Sequence, residues 1–338
     1  MKLAFGFASG LAAALLLLAF APRPLANKLS TLQDDGLRLA EVLERIDQDT
    51  NPIDIAFIGT SHTMDGIDDS DLQASLEKAG VRANVANLGV MWMGRDLHLW
   101  LTRRLLAHKT PKLIVLEINE HEPPYGHPLM PYVAAASDML CCRFWDEFNF
   151  PKMFLLFLKE QFYGSISLAW TPFSRAAAAG APQWEHGWHP LDGIWDARIP
   201  RALSLGDRIE GLMGSNSRSL AYELTSDFGR QAVRQIVEEA RAAHVSIVFL
   251  YLPEFQYASR AEPENIRFYS ELAPVIVPPE DLVANRLNWW DFAHLNRNGA
   301  QEFVPYLSAQ LAAYWAKIPV REVGPLDLEG LPAEVRSH

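Results

Sequence analysis

The chain has 338 residues, of which 49% are hydrophobic and 21% are charged, and its formal net charge is −11. This size and hydrophobic content suffice for a large buried core and exclude a wholly disordered chain. The acidic balance repels nucleic-acid backbones, so we expect no DNA or RNA partner. The only cysteines, Cys141 and Cys142, are adjacent. Neighbouring cysteines rarely pair without backbone strain, so they do not identify a redox compartment.

The first predicted element is the charge-free apolar run 3–21, which follows Lys2. A helix of this length reaches about 28 Å, close to the thickness of a bilayer core. Residues 19–21 read Ala-Phe-Ala, a pattern typical of signal-peptide cleavage sites, but Pro22 should hinder cleavage. We favour an uncleaved membrane anchor over residues 1–24, with a cleaved signal peptide or a buried helix as alternatives. Either form of export predicts an envelope protein whose globular part is in the periplasm or outside.

A linker helix is predicted within residues 25–50, and strands and helices then alternate through residues 51–318. Short apolar runs that end at Gly or at a polar residue indicate buried strands. The predicted strands are 53–58, 83–88, 112–118, 245–252 and 274–277. The predicted helices are 27–47, 68–79, 95–108, 226–244 and 298–315. This alternation is typical of a parallel sheet between two layers of helices. We predict an α/β fold with three layers, α/β/α, and a mainly parallel, roughly five-stranded, flavodoxin-like sheet.

The alternation is interrupted at about 120–225, after the third strand. This stretch is rich in Pro, Gly and Trp, and we predict that it is an insertion packed over one end of the sheet. Its tryptophans are either core residues or platforms on which sugars stack. The polar residues 319–338 are predicted to form a loose tail.

Polar residues follow the predicted strands at the edge where an open α/β sheet binds ligands. Ser61 follows the first strand, and Asp291 and His294 precede the last helix. Ser61 is a candidate nucleophile and His294 the base that accepts its proton, while Asp291 orients and stabilises the imidazole. Gly89 follows the second strand and Asn119 the third. The N–H groups of Ser61 and Gly89 and the Asn119 amide are candidate donors to an oxyanion.

In their chain order, Ser61, Gly89, Asn119, Asp291 and His294 resemble the motifs of the SGNH (GDSL-like) hydrolase superfamily. The resemblance covers about residues 50–118 and 225–317. It is nearest to membrane-anchored members associated with O-acylation of exopolysaccharide and cell wall. It implies a serine esterase or acyltransferase with a glycan substrate, and a membrane-bound O-acyltransferase as a possible partner.

The chain departs from the family's motifs at several positions. Thr60 replaces an aspartate and His62 a leucine in the serine motif, and residues 117–120 read Glu-Ile-Asn-Glu in place of Gly-x-Asn-Asp. His62, Trp289 and Trp290 are candidate substrate contacts, and packing and a catalytic role are the alternatives for His62.

Metal sites are weakly indicated. His186 and His189 have a spacing seen in metal sites, but no third ligand is nearby in the sequence. Residues 120–122, Glu-His-Glu, cannot all point in one direction. We therefore expect neither a metal nor a cofactor.

Together these features predict an envelope serine esterase or O-acyltransferase. It would act on acyl esters, acetyl foremost, of a cell-surface polysaccharide through an acyl-serine intermediate. The altered serine and asparagine motifs leave an alternative, a non-catalytic scaffold that binds the polysaccharide or a membrane-bound O-acyltransferase.

Overall fold

The computed structural model describes residues 34–118, 122, 125–140, 150–170, 187–195, 228–255 and 266–318. The predicted membrane anchor, the tail, Asn119 and most of the predicted insertion lie outside these residues. Among the described helices, none is long and apolar enough to cross a membrane.

A five-stranded parallel sheet lies at the centre of the fold. Its strands are β1 (Ile55–Ile58), β2 (Val85–Asn87), β3 (Leu113–Ile118), β4 (Ser246–Tyr251) and β5 (Val275–Ile276). Their order across the sheet is β2-β1-β3-β4-β5, and every pairing is parallel. The predicted flavodoxin-like sheet is confirmed. The chain leaves β1 towards β2 on one side and later returns to β3 on the other, so the switch point of the topology lies between β1 and β3.

The helices occupy both faces of the sheet. In chain order they are α1 (Asp34–Asp47), α2 (Ser61–Gly66), α3 (Asp69–Lys78), α4 (Arg95–His108), α5 (Met130–Val133), α6 (Ala136–Leu140), α7 (Phe150–Trp170), α8 (228–242), α9 (Ile266–Leu272), α10 (Glu280–Ala284) and α11 (Arg297–Trp315). A 3₁₀ turn at Arg286–Asn288 follows α10. The described helices include the predicted ones, with ends shifted by a few residues, and add the short α2, which begins at the candidate nucleophile.

Alternate strand residues pack into two separate apolar cores, because successive side chains point to opposite faces of a sheet. On β1, Ile55 and Phe57 join the core beneath α3 and α11, whereas Ala56 and Ile58 join the core beneath α1 and α4. All four are fully buried. Burial on both faces explains why these strands are continuous apolar runs rather than alternating ones, and it confirms the three-layer α/β/α prediction.

Candidate active site

Ser61 lies at the carboxyl edge of the sheet, beside the switch point. Its segment, Gly59–Thr63, is called the nucleophile turn below. Thr60 is the N-cap of α2, and its Oγ1 accepts a hydrogen bond from His62 N at 3.1 Å. Met64 N donates to Thr60 O at 2.9 Å, which closes the first helical turn. The chain thus changes from strand to helix within two residues and presents Ser61 at the edge of the sheet.

Asp291 and His294 lie in a tight loop, Trp289–Leu295, called the acid–base loop below. Trp289 and Leu295 form an antiparallel bridge, and Trp290 N donates to His294 O at 2.9 Å. The hairpin-like geometry brings the Asp291 and His294 side chains to one side. The loop leads directly into α11.

The three predicted catalytic side chains are brought together from positions far apart in the chain. His294 Nε2 lies 2.8 Å from Ser61 Oγ, and His294 Nδ1 lies 3.0 Å from both carboxylate oxygens of Asp291. Because a carboxylate accepts but does not donate, Nδ1 carries the proton and the lone pair of Nε2 faces the serine. The geometry is that of a Ser–His–Asp triad.

Electrostatics favour an ionised Asp291. Burial by itself raises the pKa of this carboxyl. The hydrogen bonds from the His294 ring and from Ala293 N and His294 N outweigh burial, so the net pKa lies below the ordinary value. The charge is therefore present at neutral pH, where it can stabilise an imidazolium on His294.

The candidate oxyanion donors differ in availability. Gly89 N donates to Asn87 Oδ1 at 3.0 Å, so this N–H is already engaged. A Cβ at Gly89 would lie 2.6 Å from Met64 N, so glycine is required here for the close approach of α2. Ser61 N, in contrast, forms no hydrogen bond within the described part of the chain. Asn119 lies outside that part. Ser61 N–H is the donor that the described site leaves available.

The three candidate substrate contacts are in different surroundings. His62 Nδ1 lies 3.2 Å from Leu252 O, and the two histidine rings, His62 and His294, meet edge to face with centroids 5.2 Å apart. Trp290 is 45% exposed, and its ring centroid lies 6.4 Å from that of His294. Trp289 is 1% exposed and its Nε1 donates to Val283 O at 2.9 Å, so most of its ring is packed in the core. Its role as a substrate contact stays a prediction.

Two residues that sequence reasoning missed support the nucleophile side of the site. The Asn87 Nδ2 group donates to Thr63 O and to Ile67 O, each at 2.8 Å. Arg38 of α1 is 4% exposed and donates to the carbonyls of Asn87, Gly89 and Gly187. A polar residue that ends a buried strand was a visible signal for Asn87. The corresponding signal for Arg38 was an arginine within the apolar pattern of the linker helix.

Residues 187–195, from the predicted insertion, lie against both halves of the site. His189 N donates to Met64 O at 3.1 Å, and Trp188 Nε1 donates to Asp65 O at 2.7 Å. At the other end, Trp195 N donates to Trp289 O at 2.8 Å. Within the described residues, no group of three or more His, Cys, Asp or Glu side chains is placed to hold a metal ion. His186, the other half of the predicted histidine pair, lies outside these residues.

No family model, curated protein or solved structure matches this chain. In this site a serine is hydrogen-bonded to an imidazole, which is hydrogen-bonded to a carboxylate. This arrangement can activate an oxygen nucleophile for acyl transfer.

Proposed function

We propose that the protein is a serine esterase or O-acyltransferase that forms an acyl-serine intermediate on Ser61. The observation that carries the proposal is the pair of short contacts made by His294, 2.8 Å to Ser61 Oγ and 3.0 Å to Asp291. They lie at the carboxyl edge of a parallel sheet, beside its switch point, where such folds bind their ligands.

In the proposed reaction, Ser61 Oγ attacks the carbonyl carbon of an ester while its proton passes to His294 Nε2. Asp291 stabilises the imidazolium, and the Ser61 N–H donates to the developing oxyanion. The imidazolium returns its proton to the leaving alkoxide as the ester bond breaks. A hydroxyl group, from water or from a sugar, then loses its proton to Nε2 and attacks the acyl-serine. As the bond between the acyl group and Oγ breaks, the imidazolium returns this proton to Ser61 Oγ, and the free enzyme is restored.

We further propose acyl esters of a cell-surface polysaccharide, acetyl esters foremost, as substrates. The apolar run 3–21 supports an envelope location, and the SGNH resemblance supports a glycan. The exposed Trp290 beside the base is suited to a sugar ring, because an indole face packs against apolar sugar faces. The His294 and Asp291 side chains are 22% and 26% exposed, so water can compete with a sugar hydroxyl as the acceptor.

The test is incubation of the full chain with p-nitrophenyl acetate, followed by mass spectrometry of the quenched protein. We expect an acetyl mass on the peptide that carries Ser61, and no acetylation and no turnover in Ser61→Ala. Ser70→Ala, on the neighbouring helix α3, is the matched control and should react like the wild type. Absence of acetyl-Ser61 together with equal turnover in Ser61→Ala would refute the enzymatic proposal in favour of the scaffold alternative.

A further inference from the structure

We infer that Glu117, a buried carboxylate on β3, is a positioning residue for the nucleophile. This inference rests on the proposed function for its catalytic consequence, but the contacts that support it are independent of any reaction. Glu117 is 1% exposed and lies next to the last residue of the strand. β3 pairs with β1 at Ile58 and Leu116, so one step further along the two strands Glu117 comes beside Gly59.

The absence of a side chain at Gly59 makes room for this carboxylate. A Cβ at Gly59 would lie 2.3 Å from Glu117 Oε2 and 2.0 Å from Thr63 Oγ1. Both atoms belong to a tightly packed hydrogen-bonded cluster, so neither can move away without breaking a bond. The glycine of the serine motif is therefore required for the approach of Glu117.

The Glu117 carboxylate accepts four hydrogen bonds from the two threonines that flank Ser61 and His62. Oε2 accepts from Thr60 N at 2.7 Å, from Thr63 N at 3.1 Å and from Thr63 Oγ1 at 2.5 Å. Oε1 accepts from Thr60 Oγ1 at 2.7 Å. One side chain of β3 thus binds the nucleophile turn on both sides of the nucleophile.

This arrangement also determines which backbone donor stays available. Thr60 N and Thr63 N are taken by Glu117, and His62 N is taken by Thr60 Oγ1. Ser61 N is left without a partner in the described part of the chain, at the position where an acyl oxyanion would form. Glu117 therefore helps to set both the direction of Ser61 Oγ towards His294 and the direction of the Ser61 N–H.

The same contacts account for the threonine at position 60. The family that this chain resembles has an aspartate at the corresponding position. Thr60 donates through Oγ1 to Glu117 and accepts from His62 N with the same atom. An aspartate could cap α2 as well, but it would place a second carboxylate against Glu117, and like charges at this distance repel. Thr60 and Glu117 therefore depend on each other, because the residue type at either position limits which residue types fit at the other.

The catalytic test compares Glu117→Ala, Glu117→Gln and Thr60→Asp with the wild type, using p-nitrophenyl acetate and a fluorophosphonate that labels activated serines. Glu117→Ala should lower kcat roughly 10²-fold with little change in KM, because a displacement of about 1 Å at the reacting atoms costs that much. Glu117→Gln keeps an acceptor in place and should lose less than about tenfold. Thr60→Asp should lose as much as Glu117→Ala, and the double variant Thr60→Asp/Glu117→Gln should recover most of the rate.

Glu122→Gln is the matched control, since Glu122 is equally buried but is bound to Arg95 rather than to the nucleophile turn. It should lower stability without changing the labelling rate of the folded protein. Wild-type kcat in folded Glu117→Ala, or wild-type labelling in Thr60→Asp, would overturn the inference.

A second readout separates this inference from the proposed function. In Glu117→Ala, the amides of peptides that cover residues 59–64 should exchange with deuterium at least tenfold faster than in Glu122→Gln at matched global stability. If wild-type Ser61 fails to react with both reagents, the proposed function fails, and the exchange rates still decide the role of Glu117. Unchanged exchange in Glu117→Ala would refute the positioning role by itself.

Discussion

The nucleophile turn and the acid–base loop deliver their side chains to one point but are held by different parts of the molecule. The nucleophile turn is bound from within the sheet, by Glu117 of β3 and by the close approach of Gly89 after β2. The acid–base loop is bound by its own backbone bridge and by segments outside the strands. The position of Ser61 is therefore a property of the sheet, whereas the position of His294 depends on loops packed over it.

The external contacts of the acid–base loop show how far this dependence extends. Phe255 N, beyond the end of β4, donates to Phe292 O at 2.7 Å, and Trp195 N donates to Trp289 O at 2.8 Å. Asn296, directly after the loop, donates from Nδ2 to Gly193 O at 2.8 Å. Two of these three contacts come from residues 187–195. The same segment also bonds to α2 through His189 N and Trp188 Nε1, so a change in its packing is expected to affect both halves of the site.

The largest expected effect comes from removing the base itself. If the proposed function holds, His294→Ala should lower kcat by roughly 10⁶-fold, as loss of the catalytic histidine does in known serine hydrolases. Asp291→Asn should cost roughly 10⁴-fold, because the imidazole loses the partner that fixes its tautomer. Turnover of p-nitrophenyl acetate measures both losses of kcat.

His108→Ala, on helix α4, is the control and should keep full activity. An Asp291→Asn variant with wild-type kcat would contradict the triad.

The two adjacent tryptophans of the acid–base loop provide the next comparison. Trp289 is 1% exposed and is packed in the core, whereas Trp290 is 45% exposed. Trp289→Ala should lower the free energy of unfolding by about 3–5 kcal/mol, because it leaves a large cavity. Trp290→Ala should change it by less than about 1 kcal/mol. Urea unfolding of the two variants measures the difference, and equal losses would show that the loop is packed differently.

A smaller effect is expected at Asn296, which joins the acid–base loop to residues 187–195. Its Oδ1 caps α11 by accepting from Gly299 N at 3.0 Å, and its Nδ2 donates to the carbonyls of Gly193 and Leu287, each at 2.8 Å. Asn296→Ala should lower the free energy of unfolding by about 2–3 kcal/mol, from the lost cap and the lost hydrogen bonds to the two carbonyls. Because the chain after the loop also loses its bond to Gly193, kcat should fall as well.

The control for Asn296 is Asn285→Ala. Asn285 accepts from Leu287 N at 3.1 Å and caps only the short 3₁₀ turn. Its loss should cost about 1 kcal/mol and leave kcat unchanged. If both asparagines gave the same small loss in thermal or urea unfolding, the link between the acid–base loop and residues 187–195 would be structurally unimportant.

The sheet and the triad were both predictable from sequence, because each depends on signals that are local in the chain. Buried parallel strands read as apolar runs, and polar residues directly after them mark the edge where ligands bind. Ser61, Asp291 and His294 could be placed together on that basis. The packing contacts between side chains that lie far apart in the chain could not be predicted. Glu117 was read as part of an altered motif, and nothing in the sequence distinguishes the buried Trp289 from the exposed Trp290. Such outcomes depend on three-dimensional packing between segments, for which a single sequence carries no local signal.

The last and smallest predicted effect concerns the contribution of a buried carboxylate, on the nucleophile side of the site, to the free energy of unfolding. Asp65 of α2 is 4% exposed, and its Oδ1 has no hydrogen-bond partner among the residues that the structure describes. Its pKa is raised to about 7, chiefly by burial; interactions with His62 and Arg38 oppose this rise, and the neighbouring Asp291 and Glu117 add to it. A folded pKa above the unfolded value of 3.8 means that stability is greatest below that value and is lost as pH rises towards 7. Asp65→Asn should therefore gain about 1–3 kcal/mol at pH 8 and progressively less towards pH 5, as measured by urea unfolding.

Asp54, just before β1 at the opposite edge of the sheet, provides the control of opposite sign. Burial alone raises the pKa of this carboxyl. Bonds from Asn84 N at 2.9 Å and Asn84 Nδ2 at 3.0 Å, together with Lys112, outweigh burial and lower the net pKa. Its stabilisation is present above the unfolded pKa and is lost as pH falls, so Asp54→Asn should cost about 1 kcal/mol at pH 8 and less in acid. Opposite pH slopes in the two variants would show that the amino edge of the sheet is optimised for stability, whereas the edge that carries Ser61 retains an unsatisfied carboxylate beside its nucleophile. Parallel slopes would contradict that distinction.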